Sequence, residues 1–341
     1  MAILSKIKLQ VEQKLPFVLY VLPNQNKLYG LFQKDNTIID YKGQSGFVFV
    51  SFDGTKKYVI PFEGSDFLEE EFSFDTVNQT EDFASFSERE KKHFENSVQK
   101  AILSIHNGDF EKVVLSRKIE IEKKIDLTDA FLRLINRYPT AFRSLFYHPH
   151  IGYWMGATPE QLIKVENNHF ETVSLAGTHQ KDNFENWSAK EKNEQQIVTN
   201  YILDNLHKEV ISLKVTEPFT VEAGSLVHLK TIISGEVFSI ENTKNILQNL
   251  HPTPAVCGFP KQKAVQFINE NEGYDRKFYA GYLGLWNEEE ASANLFVNLR
   301  CIEVEKNKIN IYVGCGITGD SNPEKEFFET EHKSQIMKSI L

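Results

Sequence analysis

Strand-like and helix-like segments alternate unevenly along this chain, and their order restricts the fold more than any other feature of the sequence. Four strand-like segments follow one another near 142–147, 152–157, 161–165 and 169–174 before the next helical pattern begins. Parallel neighbours would each need a long crossover connection, whereas antiparallel neighbours need only a short turn. The order therefore predicts an α+β fold with large, mostly antiparallel β-sheets packed with helices.

Local capping patterns mark the starts of several helices. Ser87–Glu90 and Ser188–Glu191 each match the capping box, in which a serine and a glutamate three residues later satisfy each other's backbone N–H groups. Asp126 is a third candidate cap. Because apolar residues at helical spacing follow all three positions, we expect a helix after each of them. We expect a final helix at the C-terminal end.

The composition is that of an ordinary globular protein, with 341 residues of which 41% are hydrophobic and 25% charged. This length suggests either two domains or one large domain. No repeat, low-complexity tract or Gly/Ser-rich linker divides the sequence. Residues 1 to about 80 alternate short apolar runs with turn signals, so we expect a β-rich beginning. The 26 phenylalanines suit packing between sheets.

Charge and cysteine content argue against several classes of function. The formal net charge of −9 disfavours a nucleic-acid-binding surface, which requires a basic stripe. An anionic substrate stays compatible, because a bound cation can invert the local field. Cys257, Cys301 and Cys315 form no CxxC pair, so we expect reduced thiols in a cytoplasmic protein. No leader-like segment opens the chain and its apolar runs are too short to span a bilayer, so no membrane partner is expected.

Two of the predicted helices carry paired glutamates. Glu191 and Glu194 lie three residues apart near the start of one helix, and Glu326 and Glu329 have the same spacing on the last helix. Together they could supply the hard oxygen ligands that Mg²⁺ prefers. The alternative is that both pairs face solvent, with Glu191 serving only its capping box and Glu329 pairing with Lys333 one turn later.

Charged residues in strand-like segments are further candidates. Lys112 begins KVVLSR, Glu160 ends GATPE, and Arg300 lies within NLRC. A desolvated lysine can act as a base, a buried carboxyl group as a general acid, and a buried arginine needs an anionic partner. Glycine-containing strand ends at 174–178 and 313–317 would let backbone N–H groups approach a carboxylate. From the residues alone, ordinary strand-edge positions explain these features better.

A series of short motifs, in this order along the chain, resembles those of the chorismate-utilising enzymes. The motifs are KVVLSR (112–117), GATPE (156–160), LAGT (175–178), KNEQQIV (192–198), HPTPAVCGFP (251–260), NEGYDRKFYAGYLG (271–284), NLRC (298–301), VGCGI (313–317) and PEKEFFETEHK (323–333). The resemblance implies one chorismate-binding catalytic domain over residues 1–341. Residues 108–341 would form its motif-bearing core, and the β-rich residues 1–85 would complete the large sheet.

The resemblance also implies a role for each candidate residue. Lys112 matches the family's general base and Glu160 its general acid. Mg²⁺ would be held by Glu194 and Glu329, with Glu191 and Glu326 close behind them. The substrate-binding residues would be Gly177, Thr178, His251, Arg300, Gly314 and Lys333. In this scheme the metal holds the ring carboxylate of chorismate, while Arg300 and backbone N–H groups near Gly314 hold the other carboxylate.

Within the family, the motifs favour members that isomerise chorismate to isochorismate by water attack at C2 and loss of the C4 hydroxyl. Members that form aminodeoxychorismate carry lysine in place of Ala176. Anthranilate synthases tend to carry glutamine in place of Lys112 and take ammonia from a glutaminase partner. We therefore expect an isomerase whose partner is the small molecule chorismate, acting as a monomer with no obligatory glutaminase subunit.

Three alternatives stay open at this point. A salicylate-forming member would use the same base and then eliminate pyruvate. Isochorismate could feed siderophore biosynthesis, although we favour menaquinone biosynthesis. A non-catalytic homologue would bind chorismate without turnover, and the presence of Lys112, Glu160, Glu194 and Glu329 argues against it.

Overall fold

The computed structural model describes residues 2–73, 86–223 and 226–341. Within these ranges the helices are α1 (Ala2–Gln13), α2 (Glu88–His106), α3 (Leu127–Arg137), α4 (Ala189–Leu206), α5 (Ile240–Leu250), α6 (Lys261–Asn271) and α7 (Pro323–Lys338). The strands are β1 (Phe17–Val21), β2 (Lys27–Gln33), β3 (Gly46–Val50), β4 (Lys57–Pro61), β5 (Ser65–Glu71), β6 (Lys112–Ile121), β7 (Phe142–His148), β8 (Gly152–Thr158), β9 (Gln161–Glu166), β10 (His169–Gln180), β11 (Val210–Val215), β12 (Phe219–Ala223), β13 (Leu226–Val237), β14 (Gly258–Phe259), β15 (Tyr282–Asn287), β16 (Ser292–Val297), β17 (Cys301–Glu305) and β18 (Lys308–Ile317). None of these helices combines the length and the apolarity that a bilayer crossing requires.

The strands form two large sheets. The first has the order β14-β6-β18-β17-β8-β7-β1-β2-β5. The second has the order β11-β13-β10-β9-β16-β15-β3-β4, with β12 also paired to β13. The ladders that define this order are antiparallel. The predicted α+β fold with mostly antiparallel sheets is confirmed.

The main core lies between the two sheets and is rich in aromatic residues. Phe142 of the first sheet stacks on Phe296 of the second, with ring centroids 4.3 Å apart. Phe146 contacts Phe49 across the same interface in a tilted arrangement, with ring centroids 4.4 Å apart. A second cluster packs α1 and α3 against the other face of the first sheet. Since each large ring removes much apolar area from water, the phenylalanines hold the sheets together.

Strand register brings several of the motifs to one end of the sheets. The start of β6 pairs with the end of β18, where Val114 opposes Gly316 and Ser116 opposes Gly314. Helix α7 packs on β18, and helix α4 packs on β10 of the second sheet. The N-terminal ends of both glutamate-bearing helices therefore meet near the start of β6.

The structure corrects two local predictions. The first residues form helix α1, whose buried side chains Ile3 and Ile7 recur at helical spacing within the segment expected to be β-rich. Ser87 precedes α2, but its side chain makes no capping hydrogen bond. Residues 74–85 of the predicted N-terminal part lie outside the described residues.

Candidate active site

A cavity of about 470 Å³ lies where the start of β6, the end of β18, the end of β10 and the first turns of α4 and α7 meet. Its lining combines apolar and polar side chains. Most of the site residues expected from the sequence line it: Lys112, Glu160, Gly177, Glu191, Glu194, Arg300, Gly314, Glu329 and Lys333. Residues that are far apart in the sequence thus share one concave surface, as ligand sites usually do.

Lys112 is an inward-facing charge at the first position of β6. Its side chain is 2% exposed, and its Nζ lies 2.7 Å from Oε1 of Glu194. Gly316 on the neighbouring strand makes this pairing possible, because a Cβ at that position would lie 2.1 Å from the same Glu194 oxygen. A buried lysine amine needs a polar partner, and the Glu194 carboxylate supplies one.

Glu194 owes its position to the cap of α4. The predicted capping box is present: the Ser188 hydroxyl accepts a hydrogen bond from the Glu191 N–H, and Oε2 of Glu191 accepts one from the Ser188 N–H. The other oxygen of Glu191 lies 2.6 Å from Nε2 of His179 on β10. Glu191 therefore lines the cavity with both oxygens engaged, and Glu194 projects from the next turn toward Lys112.

The carboxylate of Glu329 forms a second lysine pair on α7. Its Oε1 lies 2.7 Å from Nζ of Lys333, which also donates to the carbonyl oxygen of Gly314 at 3.0 Å. Burial disfavours the Lys333 ammonium, but Glu329, Cys315 and Glu194 together outweigh burial and raise the pKa of Lys333 above its usual value. The site therefore presents two carboxylates, each beside a lysine.

Glu160 is a buried carboxyl group at the turn after β8. Burial raises its pKa to about 7, although Lys112, Lys333 and Arg300 each act to lower it. A carboxyl group with this pKa carries its proton through a large part of the neutral range. It can therefore donate that proton to a leaving group in the cavity.

Arg300 supplies a partly buried positive charge from the connection between β16 and β17. Its backbone has φ of 47°, a conformation uncommon for residues other than glycine, and its carbonyl accepts from the Ala157 N–H at 3.1 Å. Burial lowers the pKa of Arg300 to about 10, so the guanidinium stays charged at neutral pH. A charged guanidinium in a cavity is suited to bind a carboxylate.

Two predicted site residues are not brought to this cavity. His251 is buried between β3 and β15, where its Nε2 donates to the carbonyl oxygen of Ser51 at 3.0 Å and its ring packs edge-on against Tyr282. Burial lowers the pKa of His251 to about 4. Glu326 is also buried, on a part of α7 outside the cavity wall. The Thr178 side chain lies outside the described residues.

The sequence reading missed residues that the fold brings to the cavity. His228 lies on β13 with Nδ1 2.9 Å from the Gly177 carbonyl oxygen, and burial lowers its pKa to about 4, which leaves the ring neutral. Tyr279 and Tyr312 stack with centroids 5.5 Å apart and also line the cavity. Position in a strand could have drawn attention to His228, but only the pairing of β13 with β10 shows which face it occupies.

The donor set fits a magnesium site that a bound anion would complete. Within the described residues, no three His, Cys, Asp or Glu side chains converge closely enough to hold a metal ion by themselves. Mg²⁺, however, usually takes only one or two protein carboxylates, keeps several waters and binds an anionic group of the substrate. Glu194 and Glu329 meet that requirement because both line the same cavity.

Comparisons with known proteins identify the family to which this chain belongs. The sequence profile of the family described as chorismate binding enzyme matches residues 62–341. Isochorismate synthase EntC of Escherichia coli is 32% identical over 267 residues, which cover 74% of this chain and 68% of that protein. The vibriobactin-specific isochorismate synthase of Vibrio cholerae is 30% identical over 277 residues, covering 73% of this chain and 66% of that protein.

Solved structures show the same fold. A putative 2,3-dihydroxybenzoate-specific isochorismate synthase, DhbC from Bacillus anthracis, superposes with a TM-score of 0.81 at 23% identity, covering 95% of this chain and 96% of that one. MenF, the menaquinone-specific isochorismate synthase from Escherichia coli, superposes with a TM-score of 0.79 at 18% identity, covering 96% and 88%. By sequence profile, by relatives and by fold, this chain belongs to the family of chorismate-binding enzymes.

Proposed function

We propose that this chain is an isochorismate synthase, a Mg²⁺-dependent isomerase that converts chorismate to isochorismate. One observation carries the proposal: a buried lysine, Lys112, and a carboxyl group with a pKa of about 7, Glu160, line the same cavity. An amine that can accept a proton and an acid that can donate one are the two groups this isomerisation needs. The names of the relatives reported above support the same activity.

The proton transfers follow from these two side chains. Lys112, in its unprotonated form, takes a proton at Nζ from a water molecule as that water attacks C2 of the chorismate ring. The ring double bonds shift, and the C4 hydroxyl leaves after receiving the proton of Glu160. One water is consumed and one is released, so substrate and product are isomers. Lys112 and Glu160 are each more than nine-tenths buried, which keeps bulk water away from the two proton transfers.

The remaining residues of the cavity bind and orient a dianion. The Arg300 guanidinium pairs with one carboxylate, and backbone groups near Gly314 line the same end. Glu194 and Glu329 would hold Mg²⁺, which when bound neutralises and fixes the other carboxylate. Lys333 keeps Glu329 in place through their 2.7 Å ion pair. Fixing both carboxylates places the ring between Lys112 and Glu160, which is the positional part of catalysis.

The product assay that tests this proposal separates it from its alternatives. Purified protein is incubated with chorismate, once with Mg²⁺ and once with EDTA, and the mixture is analysed for isochorismate, salicylate and pyruvate. Isochorismate without pyruvate, formed only with Mg²⁺, is the expected result. Salicylate with stoichiometric pyruvate would assign a salicylate synthase, and chorismate binding without conversion would assign an inactive homologue.

The pathway and the assembly belong to the same proposal. We assign the product to menaquinone biosynthesis and the active form to a monomer without a glutaminase subunit. Deleting the gene in its own organism and measuring menaquinone and catechol siderophores tests the first assignment, because loss of siderophore alone would reverse it. Size-exclusion chromatography with light scattering tests the second.

A further inference from the structure

A fully buried ion pair lies behind the cavity, on the free edge of the strand that carries Lys112. Glu272 is the C-cap of α6, and Arg276 follows it by four residues. Nε of Arg276 donates to Oε2 of Glu272 at 2.8 Å, and both side chains are 2% exposed. Neither residue lines the cavity. Burying a charge pair is costly, so the contacts that the pair makes with its surroundings are informative.

The pair completes the part of the β6 edge that lies beyond β14. Among the described residues, the strand partner of β6 on that side is the two-residue β14, and the last backbone hydrogen bond there runs from the Val114 N–H to the carbonyl oxygen of Cys257, at 3.0 Å. Beyond it, Nη2 of Arg276 donates to the Val114 carbonyl at 2.7 Å, and Oε1 of Glu272 accepts from the Ser116 N–H at 2.6 Å. Two side chains thus make the hydrogen bonds that a neighbouring strand would make.

The same guanidinium also binds the segment that runs alongside this edge of β6. Nη1 of Arg276 donates to the Val256 carbonyl oxygen at 2.9 Å. Val256 belongs to the 251–260 segment, and both Val114 and Val256 line the cavity. The planar guanidinium therefore links the strand of Lys112 to the segment that pairs with its edge, and the centroid of the Phe52 ring lies 4.4 Å from the guanidinium carbon.

We infer that Arg276, supported by Glu272, is a positioning residue that sets where Lys112 stands in the active site. The inference rests on the proposed function, since it concerns the base of that reaction. Lys112 is two residues from Val114, on a strand whose other edge pairs with β18. A shift of about 1 Å in a reacting group can reduce turnover by about 100-fold. The side chain thus acts on catalysis without touching the substrate.

The substitution Arg276→Lys tests this inference. Lysine keeps the positive charge but offers a point charge on a flexible stem, which cannot reach Val114, Val256 and Glu272 together. We expect kcat to fall by about 10- to 100-fold while KM changes by less than about threefold. Purely structural damage would instead lower the fraction of folded enzyme and leave the kcat of the folded enzyme unchanged.

Arg143→Lys is the matched control. Arg143 is 0% exposed and donates to the carbonyl oxygens of Ala141, Ile135 and Leu22, but it lies on β7 and does not line the cavity. We expect this variant to lower the melting temperature by a similar amount and to retain wild-type kcat below that temperature. Equal losses of kcat in the two variants, or a wild-type kcat in Arg276→Lys, would overturn the inference.

A second readout keeps the inference testable apart from activity. Hydrogen exchange followed by mass spectrometry should show faster exchange of the Val114 and Ser116 amides in Arg276→Lys but not in Arg143→Lys. If Arg276→Lys does not fold, Glu272→Gln takes its place, with a smaller expected loss of kcat. Unchanged exchange at both amides overturns the inference even if the wild-type protein forms isochorismate. If the wild-type protein forms no isochorismate, the proposed function is overturned. The exchange data then still decide whether Arg276 and Glu272 fix strand β6.

Discussion

The two walls of the candidate active site are built differently. The wall called buried here consists of the fully buried Lys112 and the half-buried Gly314, Gly316 and Lys333 on β6, β18 and α7, and it is held by ion pairs and by the β6–β18 ladder. The open wall is the segment 177–191, which joins β10 to α4. There the His179 side chain is 42% exposed and pairs with Glu191 at the helix cap.

The difference between the two walls suits two different requirements of an active site. A side chain that must meet a reacting atom has to be fixed closely, and burial among ladder hydrogen bonds achieves that. A segment that admits a substrate and a hydrated cation has to stay accessible. The buried wall carries the proposed base, Lys112, together with Gly314 and Lys333 of the proposed binding residues, whereas the open wall carries Gly177 and Glu191.

Removing the proposed base, Lys112, should produce the largest loss of turnover. In Lys112→Ala we expect kcat to fall by about 10²- to 10⁴-fold while chorismate affinity changes little, because the amine transfers a proton and does not hold the substrate. Steady-state kinetics and equilibrium binding measure the two quantities. Lys118→Ala is the control, since Lys118 lies on the same strand but pairs with Glu120 at the surface. Loss of chorismate binding in Lys112→Ala would make Lys112 a structural residue.

Glu160→Gln should remove the acid and also change how stability depends on pH. We expect kcat to fall by about 100-fold. Because burial raises the pKa of Glu160 from 4.5 to about 7, its stabilising contribution is full below pH 4.5 and is lost as the pH rises through about 7. Relative to wild type, the variant should therefore gain about 2 to 3 kcal/mol in free energy of unfolding between pH 5 and pH 8.

Urea unfolding at those two pH values measures the effect. Glu288→Gln, at a surface carboxylate paired with Lys244, serves as the control and should show no such gain. A constant difference between Glu160→Gln and wild type at both pH values would contradict the burial of an acid in this cavity.

Glu329→Ala should weaken metal binding by at least about tenfold, because half of the proposed carboxylate set is lost. Isothermal titration with Mg²⁺ measures it, with circular dichroism to check folding. Glu324→Ala provides a comparison on the same helix, where the exposed carboxylate pairs with Lys91. An unchanged Mg²⁺ titration in Glu329→Ala would remove this residue from the proposed ligands.

Gly177→Ala should give the smallest effect, confined to the open wall. Gly177 has φ of 67°, and a Cβ there would lie 2.5 Å from the Trp187 ring. We expect KM for chorismate to rise by about three- to tenfold with kcat nearly unchanged. Gly64→Ala is the matched control, since its φ is 79° and no atom lies within 4 Å of the added Cβ. Any equal effect of the two substitutions on KM would mean that backbone strain, not Trp187, is responsible.

Much of the fold was predictable because its signals are local. Asp126 and Ser188 cap helices through their own neighbours, and both caps are present as expected. Helix α1 was missed because Ile3 and Ile7 lie in a short segment with little else to distinguish a helix from a strand. Such short apolar segments are decided by the packing they find, which the sequence alone does not show.

The site was predictable in its residue types but less so in its geometry. The pair Glu326 and Glu329 has the same three-residue spacing as the pair Glu191 and Glu194. The sequence does not show which of these glutamates face the cavity, because that depends on how α7 packs on β18 and how α4 packs on β10. The two histidines show that a motif does not reveal which way a side chain faces. His251 belongs to the motif at 251–260 but packs against Ser51, whereas His228 belongs to no motif and lines the cavity.

Water enriched in ¹⁸O tests most directly whether a solvent water attacks C2 of chorismate. Wild-type protein is incubated with chorismate and Mg²⁺ in this solvent, and early product is analysed by mass spectrometry together with a pyruvate assay. Because Lys112 is proposed to activate a solvent water, we expect isochorismate that carries one heavy oxygen at C2, and we expect no pyruvate. Unlabelled isochorismate, or no conversion of chorismate, would contradict this expectation.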